Sequence, residues 1–125
     1  MSHVLIVGIG GFIGSILRYW LTGIAQRWLD GDFPVGTLLV NVLGCLAIGA
    51  FWNLVEYAEF FTPERRLFVT FGILGGFTTF SAFGYETFML LRDGEYLPAL
   101  VNVAANVLLG LAAVTLGWMA AKALA

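Results

Sequence analysis

Three asparagines are the amide side chains best placed for chemistry, because each lies inside a long apolar stretch of the chain. Asn41 stands near the middle of one stretch, and Asn102 and Asn106 are four residues apart in another, so a helix places both on one face. An amide in hydrocarbon needs a polar partner, so all three are expected to face the protein interior. Hydrogen bonding between helices is the preferred interpretation of Asn102 and Asn106. Asn41 is better placed for a polar pathway.

A second group of polar residues lies in a glycine-rich part of the third apolar stretch. Gly75 and Gly76 are followed by the β-branched residues Thr78 and Thr79, a composition that weakens a helix. The stretch runs from 67 to 91, so the weak point falls near the bilayer midplane, where irregular backbone must be buried or line a cavity. Freed carbonyls at such breaks bind cations in transporter folds. Close glycine packing between intact helices is the alternative, but the neighbouring hydroxyl groups favour a real break.

Three phenylalanines follow the same run at a constant spacing. Phe77, Phe80 and Phe83 recur every third residue, which predicts one slowly drifting stripe along a regular helix. Such a stripe is by default a packing or lipid-facing surface. Ring edges also carry partial positive charge, so edges flanked by asparagine and serine donors could hold a small anion without a fixed charge.

Two ionisable residues lie within the apolar stretches, and each is a functional candidate for that reason. Arg18 could draw anions into a vestibule, or its side chain could extend to the membrane surface. Glu86 lies about five residues from the nearer end of its stretch, where a hydroxyl or amide partner is favoured over titration during transport.

These residues must be positioned by membrane-spanning helices, because the chain lacks the polar surface of a soluble domain. Its 125 residues are 60% hydrophobic and 11% charged, with a mean hydropathy of +0.92, whereas soluble domains are about 25% charged. A net charge of −2 without a basic excess or polar tract excludes a nucleic-acid binder and a disordered chain. Cys45 is the single cysteine, which excludes an intrachain disulfide and a cysteine metal site. No motif indicates an enzyme.

Charge positions divide the chain into four apolar spans, each of roughly the 20 residues that a helix needs to cross a membrane. The alternating ten-residue segments of a β-barrel are absent from the sequence. The prediction is an all-α membrane protein with a single four-helix transmembrane domain over 1–125, its third helix broken near the midplane. Gly10 and Gly14 are expected to serve helix packing, and Thr62 to cap the helix that begins at Pro63. The predicted spans are 4–28, 33–55, 67–91 and 96–121.

The basic residues barely choose an orientation in the membrane. Four spans put both termini on one side, together with Arg65, Arg66 and Lys122, while Arg27 and Arg92 lie on the other. A difference of three against two is almost no bias under the positive-inside rule. A chain that inserts both ways could form an antiparallel homodimer with a two-fold axis in the membrane plane. A single orientation set by one arginine is the alternative.

Three motifs together resemble the Fluc-type fluoride channels, the camphor-resistance family. They are Gly-x-x-x-Arg-Tyr ending at Tyr19, Gly-Thr-Leu-x-Val-Asn ending at Asn41, and Gly-Gly-Phe-Thr-Thr-Phe-Ser-x-Phe ending at Phe83. The resemblance also covers the length, the number of spans and the order of the motifs. It implies a passive channel that exports toxic fluoride from the bacterial cytoplasm across the inner membrane. It further implies an antiparallel homodimer with two pores in the lipid bilayer.

The resemblance also implies roles for individual residues. The residues that it assigns to the fluoride pore are Asn41, Phe80, Phe83 and Ser81. Arg18 matches the family's arginine, and Glu86 matches its acid in the third helix. Both are interpreted as vestibule or polar support for the pore. The backbone carbonyls of Gly75 and Thr78 in both subunits are implied to hold a structural sodium ion, Na⁺, on the two-fold axis. Family members often carry a hydroxyl where this chain has Ala82, so a thinner polar track is expected beyond the phenylalanines.

Two functions of other classes are compatible with four spans. A proton-coupled small multidrug exporter is also a four-helix protein and often has dual topology. Proteins that resemble this class have an essential carboxylate in the middle of the first helix. The first span here contains Arg18 and no acid, which counts against an exporter. A non-transporting membrane assembly subunit is the other alternative, and fluoride efflux from liposomes would separate the three.

Overall fold

The structure is a computed structural model, and it describes residues 2–124, all of whose regular elements are helical. Four helical spans are long and apolar enough to cross a membrane, as the sequence predicts, and they extend the predicted bounds by a few residues at most ends. The third span, Pro63–Arg92, consists of three α-helical segments and one π-helical segment. The elements are α1 (Ser2–Trp28), α2 (Val35–Tyr57), α3 (Pro63–Leu67), a π-helical segment (Phe68–Leu74), α4 (Gly75–Phe77), α5 (Phe80–Arg92) and α6 (Tyr96–Leu124).

Local sequence signals define where these helices begin and end. Thr62 caps α3, because its Oγ1 accepts a hydrogen bond of 3.3 Å from the Arg65 backbone N–H, and Pro63 follows as the first helical residue. This confirms the predicted cap. The turn between α5 and α6 requires Gly94, whose φ of +78° is a left-handed conformation that other residues rarely adopt.

Helix α1 packs against the first half of the third span through backbone contacts between glycines. A Cβ atom added to Gly10 would lie 2.7 Å from the Phe68 carbonyl oxygen and 2.8 Å from the Gly72 Cα. A Cβ on Gly14 would clash with the Ile73 carbonyl. Small residues allow this approach because they remove the side chain that would separate two backbones. The predicted packing role of Gly10 and Gly14 is therefore confirmed.

Helices α2 and α6 form the second closely packed pair. A Cβ on Gly49 of α2 would clash with the Val114 backbone of α6, and a Cβ on Gly117 of α6 would clash with the Leu46 carbonyl of α2. Helix α2 joins the two pairs, because it packs against α1 and also lies beside the third span. A Cβ on Gly36 of α2 would lie 2.6 Å from the Thr22 carbonyl oxygen of α1. Val40 of α2 is fully buried. Asn41 and Glu86 form hydrogen bonds across the boundary between α2 and the third span.

Candidate functional site

The third span is interrupted in the middle by two extended residues. Helix α4 ends at Phe77, and Thr78 (φ −91°, ψ 158°) and Thr79 (φ −150°, ψ 114°) have the backbone conformation of a strand. Helix α5 then begins at Phe80, with Thr79 as its cap. The paired glycines stay helical, so the interruption lies at the β-branched residues that follow them.

Asn41 of α2 stabilises the interruption through two hydrogen bonds to the backbone of Thr79. The Thr79 backbone N–H donates to Asn41 Oδ1 over 2.9 Å, and Asn41 Nδ2 donates to the Thr79 carbonyl over 3.2 Å. The side-chain amide thus pairs with both polar groups of one residue, as a neighbouring strand would. An extended residue in this apolar surrounding therefore has its backbone groups satisfied by α2.

Two hydrogen bonds at the interruption leave two carbonyl oxygens without their helical partners. In a continuous helix the Thr79 N–H would bond the Gly75 carbonyl, but here it donates to Asn41. The Ala82 N–H would bond the Thr78 carbonyl, but it donates to Thr79 Oγ1 over 3.1 Å. Gly75 is exposed and Thr78 is half-buried on the surface of the single chain. Backbone carbonyl oxygens are hard ligands, the type that hard cations prefer.

Arg18 of α1 binds the end of α4. Its Nε donates a hydrogen bond of 2.9 Å to the Gly76 carbonyl, and the residue is half-buried. A guanidinium at the carbonyl end of a helical segment compensates the partial negative charge there. The structure thus places Arg18 beside the interruption itself, in a contact that neither of the two sequence interpretations describes.

Glu86 lies on α5 and is paired with a hydroxyl group of α2. The Thr37 hydroxyl donates to Glu86 Oε1 over 2.8 Å, and Thr37 itself is buried. The other carboxylate oxygen, Oε2, is also buried and has no partner among residues 2–124. A hydroxyl partner is the arrangement that the sequence favours for Glu86.

The phenylalanine stripe is divided by the interruption, so the expectation of three rings on one regular helix is wrong. Phe77 belongs to α4, whereas Phe80 and Phe83 share α5, because two extended residues separate the helices. The Phe80 and Phe83 ring centroids lie 5.4 Å apart with an angle of 53° between the planes. Phe80 is 82% exposed and Phe83 is half-buried. Ser81 is exposed, with its Oγ 3.4 Å from Thr79 Oγ1.

A groove of about 380 Å³ brings most of the predicted site residues together. It lies between α2, the third span and α6, and its wall is mainly apolar with amides and carbonyls at the interruption. Arg18, Ser81 and Glu86 do not line it. The groove is lined by Asn41, Gly44, Cys45, Ile48, Thr70, Leu74, Gly75, Thr78, Thr79, Phe80, Phe83, Asn106 and Val107.

Asn106 is a groove residue that sequence reasoning assigned to helix packing and not to the site. Its Oδ1 accepts a hydrogen bond of 3.0 Å from Asn41 Nδ2, and its own Nδ2 donates to Asn102 Oδ1 over 3.1 Å. The predicted hydrogen bonding between helices is therefore present, but it leads directly to Asn41. The common depth of Asn41 and Asn106 in their spans was the available signal.

Fold and site together define a small multi-pass membrane protein with a mainly apolar groove that contains amide groups at an interrupted span. Its residues 5–118 match the family model described as CrcB-like protein, Camphor Resistance (CrcB). Because that match covers most of the chain, the protein belongs to the CrcB-like family.

Relatives across nearly the whole length have channel names. A protein of Methanosarcina acetivorans, named as a fluoride-specific ion channel, is 44% identical over 125 residues, which cover 100% of this chain and 95% of the relative. Proteins with the same channel name from Pyrococcus furiosus and Geobacter sulfurreducens are each 44% identical. The match with the Pyrococcus furiosus protein covers 98% of this chain and 98% of the relative. The match with the Geobacter sulfurreducens protein covers 99% of this chain and 100% of the relative. These names describe ion channels and not enzymes.

Proposed function

We propose that this protein is a passive fluoride-selective channel that exports fluoride across the cytoplasmic membrane. The observation that carries the proposal is the groove in which Asn41 meets Phe80 and Phe83 beside the interrupted helix. Membership of the CrcB-like family and the names of the relatives support the same function.

The chemistry of the groove suits a small dehydrated anion. Fluoride is strongly hydrated, so a pore must replace its water contacts without binding it too tightly. Asn41 offers amide hydrogens, and the edges of Phe80 and Phe83 offer a weak positive field. A fixed positive charge in the groove would trap the ion and would be costly in hydrocarbon. Phe80 is exposed on the single chain, as a ring that meets a passing ion requires.

Transport without proton coupling follows from the distribution of acids. A proton-coupled multidrug exporter needs a carboxylate in its first helix, and helix α1 of this protein contains none. Glu86 is the acid within the transmembrane part of α5, and its bond to Thr37 gives it a supporting role beside the groove. Ser81, on the first turn of α5, adds a hydroxyl donor next to Thr79.

An antiparallel homodimer with two pores is part of the proposal. The nearly balanced basic residues support insertion in both orientations. In such a dimer the freed carbonyls of Gly75 and Thr78 from both subunits could converge on the two-fold axis and hold a structural sodium ion. Bound sodium would neutralise carbonyl dipoles that are otherwise unpaired in an apolar surrounding. Arg18 would support the same region by fixing the Gly76 carbonyl.

Fluoride efflux from liposomes tests the function. Purified protein reconstituted with internal fluoride should release it down its gradient when a potassium ionophore balances the charge, and chloride should pass far more slowly. Efflux that requires an imposed proton gradient, or equal passage of chloride, would contradict the proposal. Absence of any flux would favour the assembly subunit.

A matched pair of asparagine variants on α2 locates the pathway. Asn41→Leu removes the amide from the groove and is expected to abolish most of the flux. Asn53→Leu replaces a fully buried amide without a hydrogen-bond partner among residues 2–124, and it should conduct like the parent. Equal flux in both variants would show that Asn41 is not in the pathway.

A further inference from the structure

A chain of side-chain hydrogen bonds begins at the interruption and crosses from α2 to α6. The Thr79 N–H donates to Asn41 Oδ1 over 2.9 Å, and Asn41 Nδ2 donates to Asn106 Oδ1 over 3.0 Å. Asn106 Nδ2 then donates to Asn102 Oδ1 over 3.1 Å and to the Asn102 carbonyl over 2.9 Å. Each amide accepts with its oxygen and donates with its nitrogen, so every bond in this series runs in the same direction.

The chain continues back to α5 without reversing. Asn102, which is 1% exposed, donates from Nδ2 to Thr87 Oγ1 over 2.9 Å. The Thr87 hydroxyl donates to the Phe83 carbonyl over 2.7 Å. We call the four linked side chains, Asn41, Asn106, Asn102 and Thr87, the amide relay.

The two ends of the amide relay fix its direction. A backbone N–H such as that of Thr79 can only donate, and a carbonyl such as that of Phe83 can only accept. Every amide between them is therefore held in one orientation, because turning any one of them would place two donors or two acceptors face to face. Hydrogen bonds aligned in this way polarise and strengthen one another.

Both amide hydrogens of Asn41 are engaged in this arrangement. One bonds the Thr79 carbonyl over 3.2 Å, and the other bonds Asn106 Oδ1. The Thr79 carbonyl belongs to the backbone and cannot turn away alone. Asn106 Oδ1 belongs to a half-buried side chain on the wall of the groove, so it is the acceptor that an anion entering the groove can displace.

We infer that Asn106, oriented by Asn102 and Thr87, is a positioning residue that accepts the Asn41 amide hydrogen when the groove is empty and yields it to an entering fluoride ion. The inference rests on the proposed function. The exchange keeps the Asn41 amide satisfied at every stage, which avoids the cost of a bare amide in hydrocarbon. Competition from Asn106 also weakens the hold on the anion, as rapid release requires.

Selective ¹⁵N labelling of asparagine tests the amide relay on the purified full chain, since the sequence contains four asparagines. Thr87→Val keeps the side-chain shape and removes the hydroxyl, so it is expected to shift the side-chain amide signals of Asn102, Asn106 and Asn41. Thr87→Ser keeps the hydroxyl and should restore the parent spectrum. Asn53 lies outside the relay and should be unchanged throughout. A Thr87→Val spectrum in which Asn102 alone moves would overturn the inference.

The concentration dependence of efflux tests the exchange with fluoride. Thr87→Val and Asn106→Leu weaken or remove a neutral competitor, so the fluoride concentration for half-maximal flux should fall about three- to tenfold, the range expected for one net hydrogen bond. Maximal flux should fall as well, because release becomes slower. An unchanged half-maximal concentration in both variants would refute the exchange.

Thr115, on α6, provides the matched control for Thr87 of α5. Within residues 2–124 the Thr115 hydroxyl donates only to the Leu111 carbonyl of its own helix, over 3.0 Å, so Thr115→Val should leave both flux parameters unchanged. A change as large as that in Thr87→Val would overturn the inference, because loss of any helix hydroxyl would then suffice. A parent protein that passes no fluoride would refute the proposed function and the exchange, whereas the asparagine spectra would still decide whether the relay exists.

Discussion

Replacement of Phe80 by isoleucine separates a role in conduction from a role in packing, because the ring is 82% exposed on its own chain. Complete burial of a phenylalanine side chain stabilises a protein by about 1.5–3 kcal/mol. Roughly a fifth of this ring is covered, so packing within the chain contributes about 0.5 kcal/mol at most. Isoleucine keeps much of that contribution, and the free energy of unfolding should hardly change.

The expected effect of Phe80→Ile on flux is much larger. A desolvated cation over the face of an aromatic ring is stabilised by about 2 kcal/mol. The edge of the ring carries the opposite partial charge, so we expect a stabilisation of similar size for an anion at the edge. Because about 1.4 kcal/mol corresponds to a tenfold change, loss of a contribution of this size lowers fluoride flux about thirtyfold. Isoleucine has no quadrupole and cannot replace it.

The assay compares Phe80→Ile with Phe71→Ile. Phe71 lies in the same span, is 71% exposed and does not line the groove, so it controls for the loss of an exposed ring. Fluoride efflux is measured from liposomes with a fluoride electrode, and thermal unfolding of the purified proteins reports stability. Equal flux in the two variants, or a loss of flux in Phe80→Ile that parallels a loss of stability, would refute the reasoning.

Three further predictions concern the interruption and the dimer. Gly44→Ala should lower the free energy of unfolding by about 1–3 kcal/mol, because the new methyl group would clash with Thr78 Cγ2, and adding Thr78→Ser should restore stability by removing Cγ2. Thermal unfolding of the single and double variants checks this, and a double variant as unstable as Gly44→Ala would contradict it. Removal of sodium, with other cations excluded, should weaken the dimer and abolish flux, while Thr78→Ser alone keeps the carbonyl and should conduct; equal flux without sodium would argue against the metal site. Tags at the two termini should be accessible from both faces of the membrane in comparable amounts, and added lysines on one side should bias the orientation; a single orientation in the unmodified chain would disprove dual topology.

Hydrophobic patterning predicted the spans well because a membrane helix is defined by length and apolar character. The charges at Asp30, Arg92 and Glu95 limit where a helix can lie in hydrocarbon, so the bounds could be predicted within a few residues. The Thr62 cap was equally predictable, since it depends on residues adjacent in sequence.

The π-helical winding in the first half of the third span could not be predicted from the same signals. The π-helical segment Phe68–Leu74 is mainly apolar and has no residue that marks a change of winding. Its winding accompanies the close backbone contact with Gly10, which lies far away in sequence. Sequence reasoning also treated the phenylalanines as one stripe, because periodicity assumes a continuous helix. The interruption at Thr78 and Thr79 removes that assumption.

Side-chain hydrogen bonds between spans were the least predictable part of the candidate site. Asn41 and Asn106 are polar residues that need partners, but a sequence does not show which of several amides and hydroxyls face one another. The contact of Arg18 with Gly76 was missed for a related reason. It depends on a carbonyl that becomes available only at the end of a three-residue helix.

The interruption is stabilised within one polypeptide, which has a consequence for biogenesis. The bonds from Asn41 to Thr79, from Arg18 to Gly76 and within the Thr79 cap all join residues of the same chain. A newly inserted copy can therefore satisfy both backbone groups of Thr79 and the Gly76 carbonyl before it meets a second copy, and whichever way it faces. Under dual topology, assembly becomes an encounter of two nearly complete halves by lateral diffusion, and the carbonyls of Gly75 and Thr78 are the backbone groups beside the interruption that the second copy would help to satisfy.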